Sequence, residues 1–196
     1  MTVQKQITRD DIMDLESYAK DRRAHRQAFR ELKQHRRVDV GPHVSFYFEN
    51  RATMWHQIHE MLHIEKGGEA QIADELDAYN PLVPQGRNLT ATMMIEIEDP
   101  VRRDALLKRL GWIDEKIYLV VGDHRIAAQP LQDAERNTAE GKTSAVHFLS
   151  FPFTDDEAAL FRDPAVKVSL DIEHENYSHS ATLSAETRKS LAADLD

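Results

Sequence analysis

The chain has 196 residues, 41% of them hydrophobic and 30% charged, with a net charge of −9. Cysteine is absent, which excludes disulfides, thiolate zinc sites and iron–sulfur ligation by this chain. No apolar run reaches the roughly 18 residues of a membrane span, and Met1 to Asp14 lacks the apolar stretch of a secretory signal, so a soluble cytoplasmic protein is expected.

Thr8, followed by Arg9-Asp10-Asp11, is a helix start with acids in the first turn. Ile12, Leu15, Tyr18 and Ala19, then Ala24, Ala28, Phe29 and Leu32, recur at helical spacing up to Gly41-Pro42. The pattern predicts one long helix, or two with a break near Lys20. Its apolar stripe thins in the second half, as in a surface helix or an arm that needs a partner. Val44, Phe46 and Phe48 then alternate with polar neighbours as a strand. Glu49-Asn50-Arg51 turns the chain into a helix over about 52–66, which Gly67-Gly68 stops. A shorter helix is expected over about 69–78, ended by Asn80-Pro81.

The second half is richer in strands. Thr90 to Glu98 alternates, with Met93, Ile95 and Ile97 inward. Asp99-Pro100 starts a helix to about Leu110. Ile117 to Val121 is a continuous apolar run, and Gly122-Asp123 turns it into a hairpin partner over His124 to Gln129. Ala145 to Phe153 is apolar on both phases and reads as a central strand. Thr154-Asp155-Asp156 caps a helix to Arg162, and Val166 to His174 alternates most cleanly. These elements give an α+β fold: an antiparallel or mixed sheet with helices on one side and a basic N-terminal helical arm. The expected division is an arm over 1–40, a core over 41–183 and a polar tail over 184–196.

Charge is unevenly spread. Lys20 to Arg37 holds eight Lys/Arg against two acids, a local +6 that leaves −15 for the rest. Such an arm suits an acidic surface on its own domain, a second subunit or another protein. Nucleic acid is disfavoured, because the arm interleaves only Phe29 among its cations and the remaining −15 repels a duplex.

His59-Glu60-Met61-Leu62-His63 reads H-E-x-x-H, the spacing with which zinc hydrolases hold a metal and activate water. With Ile58 at zero and about 100° per residue, His59, His63, His56 and Glu60 fall near ~100°, ~140°, ~160° and ~200°, opposite the core stripe. His56, His59 and His63 are therefore candidate ligands for zinc or iron, with Glu60 as ligand or catalytic base. The plainer reading is a polar outer face that happens to use histidine. A protease is disfavoured by Lys66, where the long zinc-protease motif wants glycine. A di-iron site wants a second E-x-x-H, and the chain has none. Glu65 falls on the core side of the wheel and would need a partner such as Arg51 or Arg87. His147 points inward from its strand and is read as a histidine satisfied by one hydrogen bond. His174 and His179 are the right distance apart to meet across a turn.

Several blocks carry a resemblance. Arg36-Arg37-Val38 running into Gly41-Pro42, Phe48-Glu49-Asn50-Arg51, Glu60-Met61-Leu62, Tyr79 to Gly86, Leu89-Thr90-Ala91-Thr92 and Thr143 to Phe148 resemble the DUF3501 family of bacterial proteins, over nearly the whole chain. The family brings no catalytic residues. What the resemblance implies is genomic company, with rubrerythrin-like proteins and an iron–sulfur oxidoreductase, hence a place beside iron or peroxide chemistry. Two functions are then expected. One is a metal-binding, oligomeric protein in such a pathway. The other is a metal-free interaction subunit whose basic helix docks an acidic redox partner.

Overall fold

The computed structural model describes residues 5–131 and 136–196. Among the described residues, two antiparallel sheets and six α-helices form an α+β fold. A single sheet is the simpler expectation from sequence, but the strands divide into two. The first sheet has the order β1-β2-β3-β7-β6, built from Arg37–Val40, Val44–Glu49, Asn88–Ile95, Val146–Pro152 and Gln129–Pro130. The second has the order β5-β4-β8-β9, built from His124–Ala127, Ile117–Val121, Val168–His174 and Tyr177–Thr182.

One apolar core joins the two sheets. Phe46, Phe48, Met93, Leu149 and Phe151 from the first meet it with Leu119, Leu170 and Ile172 from the second. A second, smaller core lies on the other face of the first sheet. There Met54, Ile58 and Leu62 pack with Ile7, Ile12, Leu82 and Val83, and with Phe148 of β7 against them. That division explains why β7 is apolar on both phases: Leu149 and Phe151 serve one core and Phe148 the other.

The helices are α1 (Leu15–Gln34), α2 (Arg51–Glu65), α3 (Gly68–Tyr79), α4 (Pro100–Leu107), α5 (Asp155–Arg162) and α6 (Ala185–Ala192). Thr8 caps only a short 3-10 turn over Arg9–Asp11, and Asp14 caps α1, its side chain accepting from the Ser17 amide. Helix α1 runs unbroken past Lys20 and stops earlier than its periodicity implied. Residues 37–40, expected in the helical arm, form β1 and pair with β2 in the register Val38↔Phe46 and Val40↔Val44. The alternation Arg37-Val38-Asp39-Val40, with both valines buried, is the signal of a strand that the longer helical period obscured. Residues 184–196, expected as a polar tail that is helical or frayed, include α6, whose Leu191 is fully buried, and the buried Leu195 beyond it. Strand β9 has no strong apolar alternation, because its side chains past Tyr177 are mostly exposed. Among the described residues no helix is long and apolar enough to cross a membrane.

Candidate functional site: the contact between α1 and α2

Helix α2 is fixed at both ends. The Asn50 side chain accepts from the Thr53 amide at 3.0 Å, and the Thr53 hydroxyl accepts from the Asn50 amide at 2.9 Å. At the C-terminus Lys66 itself takes the left-handed conformation, with φ 56°, ahead of Gly67 and Gly68. One face of α2 enters the smaller core. The opposite face carries the histidines, and the plainer expectation of an open polar surface is overturned there. Helix α1 lies across that face, leaving His56 7% and His59 1% exposed. The thin stripe of α1, made of Tyr18, His25 and Phe29, is the complement: two faces that each lacked a partner cover one another.

His59 is fully engaged. Its Nδ1–H donates to the Trp55 carbonyl at 2.7 Å, and its Nε2 accepts from the Met13 amide at 3.0 Å. Those partners require the neutral ring with the proton on Nδ1, and they leave no lone pair for a metal. Burial holds its pKa below the usual range. Through Met13, this one imidazole also ties down the segment that leads into α1.

His56 lies flat on Phe29, with centroids 3.8 Å apart and planes 1° from parallel. Neither of its ring nitrogens has a hydrogen-bond partner among the described residues. Burial, and then the nearby His25, Lys33 and Arg26, push its pKa down to about 4 against an opposing pull from Glu60. His63 is half-buried, edge-on to Tyr18 at 6.1 Å.

Glu60 is held as an anion. Arg22 grips it through Nε and Nη2, each at 2.8 Å, and the Tyr18 hydroxyl donates to it at 2.8 Å. The Arg22 hydrogen bonds come first among the causes that lower its pKa to about 2. A general base works best near the operating pH, and this carboxylate is too weakly basic for that. Burial and the Glu60 contact raise the Tyr18 hydroxyl above its ordinary range. The set His56, His59, His63 and Glu60 therefore does not converge on one point. Among the described residues, no three histidines or carboxylates stand where they would hold an ion together.

The other sequence expectations divide. His147 is inward, as read, and 1% exposed. Its Nε2 lies 3.0 Å from the Ser144 carbonyl and 3.1 Å from the Thr143 hydroxyl. Glu65 is exposed rather than on the core side, and accepts from Gln71 at 2.8 Å. The wheel misplaced it because it sits in the last turn, beyond the edge of the core. Arg51 pairs with Asp11 at 2.6 Å, and Arg87 with Asp155. His174 gives Nε2 to the Gly111 carbonyl at 3.0 Å, while His179 lies edge-on to Tyr177 at 4.4 Å, so the two serve separate contacts.

Beside the histidines, one flank of α1 is open. A groove of about 580 Å³ is lined by Arg22, Arg23, Arg26, Gln27 and Arg30, with Ala19 below and His63 contributed by α2. Among the described residues, Arg22 is the one of these four arginines in an ion pair; Arg23, Arg26 and Arg30 are exposed. On a wheel these cations fall within about 100° of one another, on the side of α1 away from Ala24 and Ala28. Tyr18, Arg22, His25, Phe29 and Met13 were not singled out for this contact from sequence. The recurrence of Tyr18, Arg22, His25 and Phe29 at three- and four-residue steps was the available signal.

The fold and this contact describe a small α+β protein with a histidine-packed helix pair and a basic outer flank. The chain belongs to the DUF3501 family, described as a protein of unknown function, whose pattern matches residues 6–195. It is similar to a crystal structure of a protein of unknown function from Burkholderia pseudomallei, at 42% identity and a TM-score of 0.90. That match covers 97% of this chain and 100% of the other. No curated protein matches.

Proposed function

We propose that this protein is an interaction subunit that docks an acidic protein partner along the basic flank of α1. The observation that carries the reading is the row Arg23, Arg26 and Arg30, three exposed guanidiniums with no ion pair among the described residues, lining one groove in a chain of net charge −9. At about 1.5 Å of rise per residue, the row spans roughly 10 Å of helix. Like charges held that close repel one another, and a carboxylate-bearing surface relieves the repulsion. Arginine also suits carboxylate recognition through its two-pronged geometry. The −15 carried by the rest of the chain makes a second copy one source of such a surface. The rubrerythrin-like protein and iron–sulfur oxidoreductase implied by the family resemblance are others.

The reading is tested by titrating the purified chain with those two proteins, by calorimetry at about 0.1 M salt, where screening lengths are near 10 Å. Sizing of the chain alone shows whether the partner is a second copy. The triple variant Arg23→Glu, Arg26→Glu, Arg30→Glu is expected to lose at least about tenfold in affinity, chiefly through slower association. Binding that survives the triple reversal, or that ignores salt, overturns the reading.

A further inference from the structure

A second concavity lies far from α1 in sequence, between α5, the start of β8 and α6, with a volume of about 480 Å³. It differs from the α1 groove in having an apolar floor. Phe161, Val168 and Leu183 are buried beneath it, and Val166 and Pro164 form one wall. Its rim is cationic: Arg162, Lys167, Arg188 and Lys189 line it, and no carboxylate does.

Arg188 is the fixed member of that rim. Its Nε donates to the Phe161 carbonyl at 2.6 Å and its Nη2 to the Leu160 carbonyl at 2.9 Å, with further bonds to the Val166 and Asp163 carbonyls. Of these acceptors, the Phe161 carbonyl is one that the last turn of α5 leaves without a helical partner, while the Leu160 carbonyl also accepts from the Asp163 amide. The guanidinium is thus immobilised by neutral oxygens, with Asp163 the acid nearest to it. Arg162 is tied to the Asp196 carbonyl. Lys167 and Lys189 are exposed and carry free charge. Clefts of a few hundred Å³ with an apolar floor and a few fixed polar groups are the usual form of small-molecule sites.

We infer that this groove binds a small organic anion with an apolar body, such as an aryl or medium-chain alkyl carboxylate. The body lies against Val166, Pro164 and Ala185, above the buried Phe161 and Leu183, and the acid group meets Lys167 and Lys189 at the rim. Both halves of the ligand are required. A purely apolar molecule leaves the rim charges unmatched, and a small inorganic anion leaves the apolar wall exposed to water.

The test uses the intact chain and the fluorescent sulfonate 1-anilinonaphthalene-8-sulfonate, with dodecanoate as competitor. One saturable site per chain is expected at neutral pH, displaced by dodecanoate and not by dodecanol. Lys167→Glu with Lys189→Glu is expected to weaken the probe at least tenfold. The reversal of Arg23, Arg26 and Arg30 leaves the probe's affinity unchanged, which separates this groove from the one on α1. Circular dichroism confirms that the rim variant is folded, since its two substitutions are on the surface. Equal displacement by dodecanol, or undiminished probe affinity in the folded rim variant, overturns the inference.

Discussion

The histidine face of α2 and the arginine flank of α1 are neighbours that exchange their apparent roles once the chain is folded. The α2 face carries the residues of a metal site, His56, His59, Glu60 and His63, yet its side chains are spent on holding α1. Two of the three imidazoles are buried, one with both nitrogens bonded and one stacked on Phe29. The α1 flank has no motif at all, yet Arg23, Arg26 and Arg30 keep their charge free at the surface. A ligand set is defined by where its lone pairs point, and spacing along a helix does not fix that.

The contrast is sharpest under mutation of His59. His59→Ala removes a fully buried ring, leaves the Met13 amide without its acceptor and opens space beside Trp55 and Tyr18. A loss of about 3 kcal/mol in urea unfolding is expected. A surface histidine would cost under about 0.5 kcal/mol.

Acid separates the two regions next. His56 falls from an ordinary value of 6.5 to about 4 when folded, because burial disfavours its charged form. A depressed base contributes stability that is complete above about pH 6.5 and is lost as pH falls toward 4. Discounted for solvent near the ring, the loss is about 1–2 kcal/mol. His56→Phe keeps the stack on Phe29 and should flatten that part of the pH profile, read by thermal unfolding between pH 7 and 4. Glu60 adds a separate, lower window. Its pKa is lowered to about 2 from an ordinary 4.5, so its contribution is complete above about 4.5 and lost on going down toward 2. Glu60→Gln should lower Tm by less than His59→Ala does, since the Arg22 pair is partly open to solvent.

The α1 flank should give the smallest effect on stability. Reversing Arg23, Arg26 and Arg30 is expected to move unfolding by no more than about 0.5 kcal/mol while abolishing most of the affinity for an acidic partner. A large stability change would mean that the flank is part of the packing after all.

Much of this was legible before the fold was known, and the failures have physical causes. The alternating strands β3 and β8 lie within about two or three residues of where periodicity puts them, and the continuous apolar run 117–121 is β4. The wheel of α2 separated its two faces correctly, with Ile58 and Leu62 on one and His56 and His59 on the other. It could not say that the second face is covered, because burial by another helix is a tertiary fact. The polarity of α1 concealed the match: its inner stripe is Tyr18, Arg22, His25 and Phe29, and only two of these are apolar by composition. Strand β1 was lost because Arg36 and Arg37 continue the helix's charge pattern, although Arg36 is 2% exposed and bonds the Phe48 and Glu49 carbonyls and Asp194. The groove beside α6 left no motif, since it is assembled from three separate segments.

The claim that the H-E-x-x-H stretch is packing is tested most directly by comparing wild type and His59→Ala in urea, each with a chelator and with one equivalent of zinc. The expected result is the same loss of about 3 kcal/mol in both conditions, with zinc changing neither curve. A loss that appears only with zinc present, and disappears with the chelator, would contradict the account and return the histidines to a metal.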